Sequence, residues 1–216
     1  MNLEQIEKKL LARLERIGEH VLNFAVSADL NRTGEKEWMH LEGLVSSLWQ
    51  SWGHFCRDVV MFSATGCTTA SGNVLAPSVA PARWERVSYI AKQTRGSGSP
   101  ILAGRTNSTL RLEPTWGDVG VLATVIPAAN PVNRSQLLSA FGLGVQVSHL
   151  QTVRNAAAHR NGETMRNVLA IAHLYNLPRP PRHPIEALYW VDVASGDYAI
   201  EAWADEMRKI ASVAVQ

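Results

Sequence analysis

The sequence predicts an all-α, mainly helical protein carrying a loop-rich, partly β insertion around residues 65–115. Three observations predict this: two long apolar stripes at helical spacing in the first third of the chain, the return of helical patterning after residue 118, and a concentration of Gly, Ser, Thr and Pro between them. The 216 residues suffice for a self-sufficient core and are read as one domain, 1–216. Hydrophobic residues at 46% and charged residues at 19% lie near the globular average, which excludes a disordered or collagen-like class.

The elements follow in chain order. Leu3, Ile6, Leu10, Leu14, Ile17, Val21 and Phe24 recur at steps of three and four between charged residues, so the first segment is an amphipathic helix. Trp38, Leu41, Val45, Leu48, Trp52, Phe55, Val59 and Phe62 alternate such steps without a break. A second, longer helix should therefore run to about Gly66, its aromatics on the seam of a bundle core or of a dimer. Trp49 stands beside that seam, where core packing is the ordinary role and stacking on a base the sharper one.

Between Thr65 and Pro114, TGCTTASGNVLAPS and RGSGSPILAGRTNSTLRLEP predict loops. ARWERVSYIAKQ, Ala82–Gln93, suits a short helix after Pro81, and ILAGRTNSTLRL suits a hairpin. Helical patterning returns from Asp118 to Ile126, stops at a Pro127–Pro131 turn, and resumes at Ser135 in QLLSAFG. The next helix runs from about Val145 through HLQTVRNAAAHR and ends on Asn161-Gly162, read as a left-handed C-cap pair. GETMRNVLAIAHLYNL forms another, closed by Pro178, Pro180 and Pro181; EALYWVDVASGD is extended or mixed, and YAIEAWADEMRKIASVAV is the last helix. No internal repeat is visible.

Several function classes find no support. Two cysteines, Cys56 and Cys67, are too few for a disulfide framework and have no zinc spacing, so reduced thiols and a cytoplasmic location are expected. The charged N-terminus has no signal-peptide core, and the uncharged run Val59–Ala82 is broken by glycines and a proline, so no export or membrane anchoring is expected. HExxH, paired CxxC, a Walker loop and a GxSxG elbow are all missing, and GLGVQV lacks the third glycine of a dinucleotide fingerprint; no metal or cofactor is expected. The net charge of +2 does not by itself predict a nucleic-acid partner, but sixteen of the 21 bases are arginines, whose planar fork suits phosphate.

What remains is VRNAAAHRNG, Val153–Gly162: an arginine, a polar neighbour, a histidine five residues on, and a helix terminus. Arg154 and His159 stand roughly 140° apart around a helix, whereas Asn155 and His159, at i and i+4, share a face. His159 falls in the last turn, whose unpaired carbonyls attract a cation. Ala156, Ala157 and Ala158 are expected to leave room for a second helix or a phosphate. RNA carries its own nucleophile, the 2′-hydroxyl, so its cleavage needs a base, an acid and a cation, roles that histidine and arginine fill. Two other pairs have the same loose spacing, Arg13 to His20 and Arg166 to His173, the second also opening on Arg-Asn.

The segment resembles the R-x4-6-H motif of the HEPN superfamily, in the version with a polar residue directly after the arginine. The resemblance is specific over about twenty residues. It implies a helical bundle, commonly dimeric, that cleaves RNA without metal, as such domains do in toxin–antitoxin and antiviral systems. On that footing Arg154, His159 and Asn155 are the expected catalytic residues, and Arg160 adds an RNA contact. A homodimer would bring two copies of the motif into one cleft, and an antitoxin or defence-system protein is a possible partner. Asn161 stands where the variants partnered with nucleotidyltransferases carry a tyrosine, so regulation by modification there has no support. The alternative is a non-catalytic adaptor of the same family, binding a partner protein or nucleotide.

Overall fold

Backbone hydrogen bonding organises the chain mainly into α-helices, joined by short 3-10 turns and two small antiparallel sheets; the computed structural model describes residues 1–27, 34–95, 100–106, 110–177 and 179–216. Helix α1 (Leu3–Ser27) is capped by Asn2, whose side-chain oxygen accepts the Glu4 N–H at 2.9 Å, and the stripe from Leu3 to Val21 is buried throughout. Helix α2 (Glu35–Thr65) begins with Glu35 and Glu37, whose charges suit the positive end of a helix, and stops at Gly66, where φ is +99°. Its stripe is buried from Leu41 to Val59, while Trp38 and Phe62 are only half-buried. Cys56, Val60, Met61 and Ala64 are buried too, so the last turns of α2 are enclosed on more than one face.

The chain forms two compact units, each assembled from separated segments. The first comprises residues 1–10, 52–144 and 209–216. Trp52, fully buried, stacks on Phe55 at 5.5 Å, meets the edge of Phe141 at 6.1 Å, and donates its indole N–H to the Gly117 carbonyl at 3.1 Å. Strands β1 (Cys67–Thr68) and β2 (Val74–Leu75) form one small sheet, and α3 (Trp84–Arg95) packs on α4 (Val119–Ala129), which packs on α5 (Arg134–Phe141). The expected short helix after Pro81 is therefore present as α3. The expected hairpin over residues 101–112 includes 107–109, which lie outside the described residues; residues 110–112 form a 3-10 turn.

One expectation in this unit is corrected. Helix α4 does not stop before Pro127 but runs through it to Ala129, ending at Asn130 with φ +49°. Proline removes the bond that would reach the carbonyl of Ala123 and crowds that carbonyl with its ring, and Ala123 is exposed, on the side of the helix where solvent can replace the lost N–H. Asp118 starts the helix by accepting the N–H groups of Gly120 and Val121 at 2.8 and 3.2 Å.

The loops of the first unit converge on one carboxylate. Glu113 accepts Arg57 Nε at 2.7 Å and Nη2 at 2.9 Å, the Ser88 hydroxyl at 2.6 Å and the Trp116 indole N–H at 2.7 Å. Burial pushes this carboxyl up, and the donors from Arg57, Ser88 and Trp116 outweigh it, leaving Glu113 below the usual glutamate range. Helices α2 and α3 are thereby tied to the segment after the excursion.

The second unit comprises residues 11–51 and 145–208. Helix α6 (Val145–Ala158) packs on α7 (Gly162–Ile171) and on the 3-10 turn Pro184–Tyr189; strands β3 (Tyr175–Asn176) and β4 (Val191–Asp192) pair antiparallel, and α8 (Ala199–Ala214) follows. The segment expected as one helix to Leu177 instead ends α7 at Ile171 and passes through a 3-10 turn into β3, because Tyr175 turns inward. There the Tyr175 hydroxyl lies 2.7 Å from His149 Nδ1 and accepts the Trp203 indole N–H at 2.9 Å. Burial pushes Tyr175 up to about 12 and His149 down, so the contact joins a neutral hydroxyl to a neutral imidazole. That buried bond anchors α6, the helix carrying the candidate motif.

Candidate functional site

Helix α6 buries Val147, Leu150, Val153, Ala156 and Ala157, a helical stripe that leaves Arg154 and Asn155 half-buried beside it. The expected openness around the three alanines holds for Ala158 alone, since Ala156 and Ala157 belong to the core. Arg154 Nη1 donates to the side-chain oxygen of its neighbour Asn155 at 3.1 Å, whereas Arg154 Nε is buried and has no hydrogen-bond partner. Among the described residues no carboxylate pairs with this guanidinium. A half-buried cation without a counter-charge is costly, and an anion would relieve it.

His159 stands just past the end of α6, exposed, and its N–H completes the helix by bonding the Asn155 carbonyl at 2.9 Å. Helical register therefore persists to this residue. Arg154 and His159 leave the axis about 140° apart and do not converge from one helix face. The imidazole makes no hydrogen bond among the described residues.

The terminus of α6 differs from the expected one. Asn161 is not a left-handed C-cap but the N-cap of α7, with φ −149° and ψ 169°. Its side-chain oxygen accepts the N–H groups of Glu163 and Thr164, both at 2.9 Å, while the Thr164 hydroxyl lies 3.4 Å from the Asn161 N–H and donates to the His159 carbonyl at 2.9 Å. The reciprocal bonds form a capping box, and the last one fixes the backbone of His159.

Arg160 is engaged within the fold. It is ion-paired with Glu42 Oε1 on α2, which also lies 3.2 Å from His183 Nε2. His183 stacks on Trp38, with ring centroids 4.9 Å apart and planes within 9°, and its Nδ1 accepts the Ile185 N–H at 3.2 Å. Burial, reinforced by Arg160, pushes His183 down against the pull of Glu42 and Glu186. Behind it Glu186 pairs with Arg179 at 3.2 Å and accepts the Arg182 and His183 N–H groups. Sequence reasoning missed this cluster. Its one legible trace was Trp38, which opens the α2 stripe yet stacks on His183 instead of entering the core.

Of the rival pairs, Arg13 and His20 are both exposed on α1. Arg166 is exposed on α7, and His173 lies in the following 3-10 turn with Nδ1 2.9 Å from the Ala170 carbonyl. Neither arginine has a buried, unpartnered nitrogen. Trp49 is buried and unavailable for stacking on a base. Among the described residues no group of three or more His, Cys, Asp or Glu is placed to hold a metal ion, and no helix is long and apolar enough to cross a membrane. Compared with protein-family models, curated proteins and solved structures, the chain matches none.

Proposed function

We propose that this protein is an endoribonuclease that cleaves RNA by attack of the substrate's own 2′-hydroxyl without a metal, acting as a cytoplasmic homodimer in a toxin or antiviral-defence role. The observation that carries the reading is Arg154: a half-buried guanidinium whose Nε is buried and unpartnered and which has no carboxylate among the described residues. Phosphate offers the missing charge and the missing acceptor. Asn155 holds one arm of the fork by its 3.1 Å bond and orients the rest.

In the reaction His159 takes the proton of the 2′-hydroxyl as that oxygen bonds to phosphorus, and the P–O5′ bond breaks as a protonated histidine supplies a proton to the leaving oxygen. Arg154 stabilises the phosphorane charge between these events. The products are a 2′,3′-cyclic phosphate and a 5′-hydroxyl. Because each chain offers one motif histidine for two protonation roles, the acid and the base come from the two copies of His159 in a symmetric dimer.

The test is cleavage of RNA in excess chelator, with a substrate whose 2′-hydroxyl is replaced by hydrogen as the control. His159→Ala and Arg154→Ala should each abolish cleavage without lowering the melting temperature. A strict need for added magnesium or manganese, cleavage of the deoxy substrate, or inactivation by Arg166→Ala or His173→Ala instead would overturn the proposal.

One observation favours the adaptor reading. Glu42 neutralises Arg160 and sets a carboxylate beside the residue that follows His159, which opposes a polyanion there. An adaptor would bind a partner through these residues and leave RNA intact in the same assay.

A further inference from the structure

We propose that a groove between α1 and α8 in the second unit docks a basic, amphipathic helix from a partner protein. The groove has a volume of about 300 Å³. Its floor is apolar, made by Gly18 and Leu22 on α1 and by Ile200 and Ala204 on α8. Its rims are acidic: Glu15 and Glu19 on one side, Asp197, Glu201 and Asp205 on the other. Arg208, the one basic residue lining it among the described residues, is already ion-paired with Asp205.

Charge and shape together select the occupant. Small apolar ligands would draw nothing from the rim carboxylates, and a simple cation would leave the floor uncovered. Glu15 and Glu19, like Glu201 and Asp205, are four residues apart, so each rim presents a carboxylate at every helical turn, about 6 Å along the axis. A helix with leucines at i and i+4 and lysines or arginines flanking them at the same spacing matches both floor and rims. No strand of either small sheet lines the groove, so an extended segment would find no backbone partners there, whereas a helix satisfies its own.

At Gly18 a Cβ would meet nothing within 4 Å, so an incoming side chain can close on the backbone of α1. Glycine in a helix interior carries a cost in backbone entropy. The surface lies on residues that the RNA-cleavage reading does not use, so the two proposals stand separately.

A synthetic amphipathic helix of leucine and lysine tests the idea by fluorescence anisotropy, beside a scrambled isomer of the same composition and a leucine–glutamate counterpart. The helical leucine–lysine peptide should bind the full chain about tenfold or more tighter than its scrambled isomer, and the glutamate peptide should not bind. Glu19→Lys with Glu201→Lys should weaken binding by about tenfold or more, and Gly18→Leu, which fills the floor, should do the same while preserving helical content. Equal binding of the scrambled isomer, or affinity unchanged by both variants, would overturn the proposal, as would no binding at all. If Gly18→Leu instead dissociates a dimer seen by sedimentation while peptide affinity stays constant, the groove holds a second copy of this chain and the partner helix is excluded.

Discussion

Removing the Glu113 side chain should unfasten the loops of the first unit, and the size of the loss follows from what it leaves behind. The carboxylate accepts four bonds from three residues: two from Arg57, one from Ser88 and one from Trp116. Glu113 is 7% exposed in its side chain and Arg57 24%, so the pair is largely withdrawn from water. Truncating one member of such a pair costs about 3–5 kcal/mol, because the remaining charge stays partly buried. Ser88 and Trp116, both buried, lose their acceptor as well, while Arg57 can swing toward Asp58, 3.8 Å away, and recover part of the loss. Glu113→Ala should therefore cost about 3–5 kcal/mol, a large share of the ~5–15 kcal/mol that holds a typical domain. Urea unfolding read by tryptophan fluorescence measures it. The pH dependence gives a second reading: the folded Glu113 lies below its ordinary value of about 4.3, so its contribution is complete above that pH and is lost as pH falls through the folded value. Glu113→Gln should flatten the acid limb of the stability profile. A Glu113→Ala protein with the wild-type urea midpoint, or a Glu113→Gln protein with the wild-type acid limb, would refute the argument.

Other predictions concern the core, the turn after the motif, and the dimer. Trp52→Ala should cost about 3–5 kcal/mol, since the ring is fully buried against Phe55 and Phe141, while Glu37→Ala, exposed on the first turn of α2, should cost no more than the ~0.3–1 kcal/mol of its charge at the helix end in the same urea titration. Asn161→Ala removes the cap of α7 and should cost about 0.5–2 kcal/mol in thermal unfolding; no measurable change would mean that the capping box contributes nothing. For the composite site, activity should fall on dilution through the dimer dissociation constant. A wild-type chain paired with His159→Ala should lose most activity if both histidines act in one event and keep about half if each copy works alone. A monomer with full activity, established by sedimentation at assay concentration, would remove the dimer from the mechanism.

The stripes of α1 and α2 were legible because burial imposes its own period: a residue that faces a core every three or four positions must be apolar at that spacing, whatever else surrounds it. Chain ends and turns were less legible because the residue types that serve them are shared. Asn followed by Gly suits a left-handed C-cap, yet Asn also caps helix starts, and the choice at Asn161 was made by Thr164, whose hydroxyl completes the box and reaches back to His159. Pro127 misled in a related way. A proline disfavours any helix interior, but the cost is more easily met where the carbonyl it deprives faces water, and the exposure of Ala123 is a tertiary fact. Glu113 carried no signal at all, since a glutamate in a loop-rich segment looks solvated until Arg57 and Ser88, 56 and 25 positions away, are brought to it beside the nearby Trp116.

The motif shows the same division more sharply. Arg154 and Arg160 lie six residues apart in one short segment, and nothing local distinguishes them as phosphate ligands. What separates them is whether the fold brings a carboxylate within reach: Glu42 reaches Arg160 from 118 positions away, while among the described residues none reaches Arg154. A half-buried guanidinium without a carboxylate is costly, and a bound anion would offset that cost. An exposed ion pair such as Arg160–Glu42 contributes little to the fold, and a phosphate would have to displace Glu42 to reach Arg160. Arg154 therefore carries the argument for an anionic substrate, and Arg160 can add to it only where Glu42 gives way.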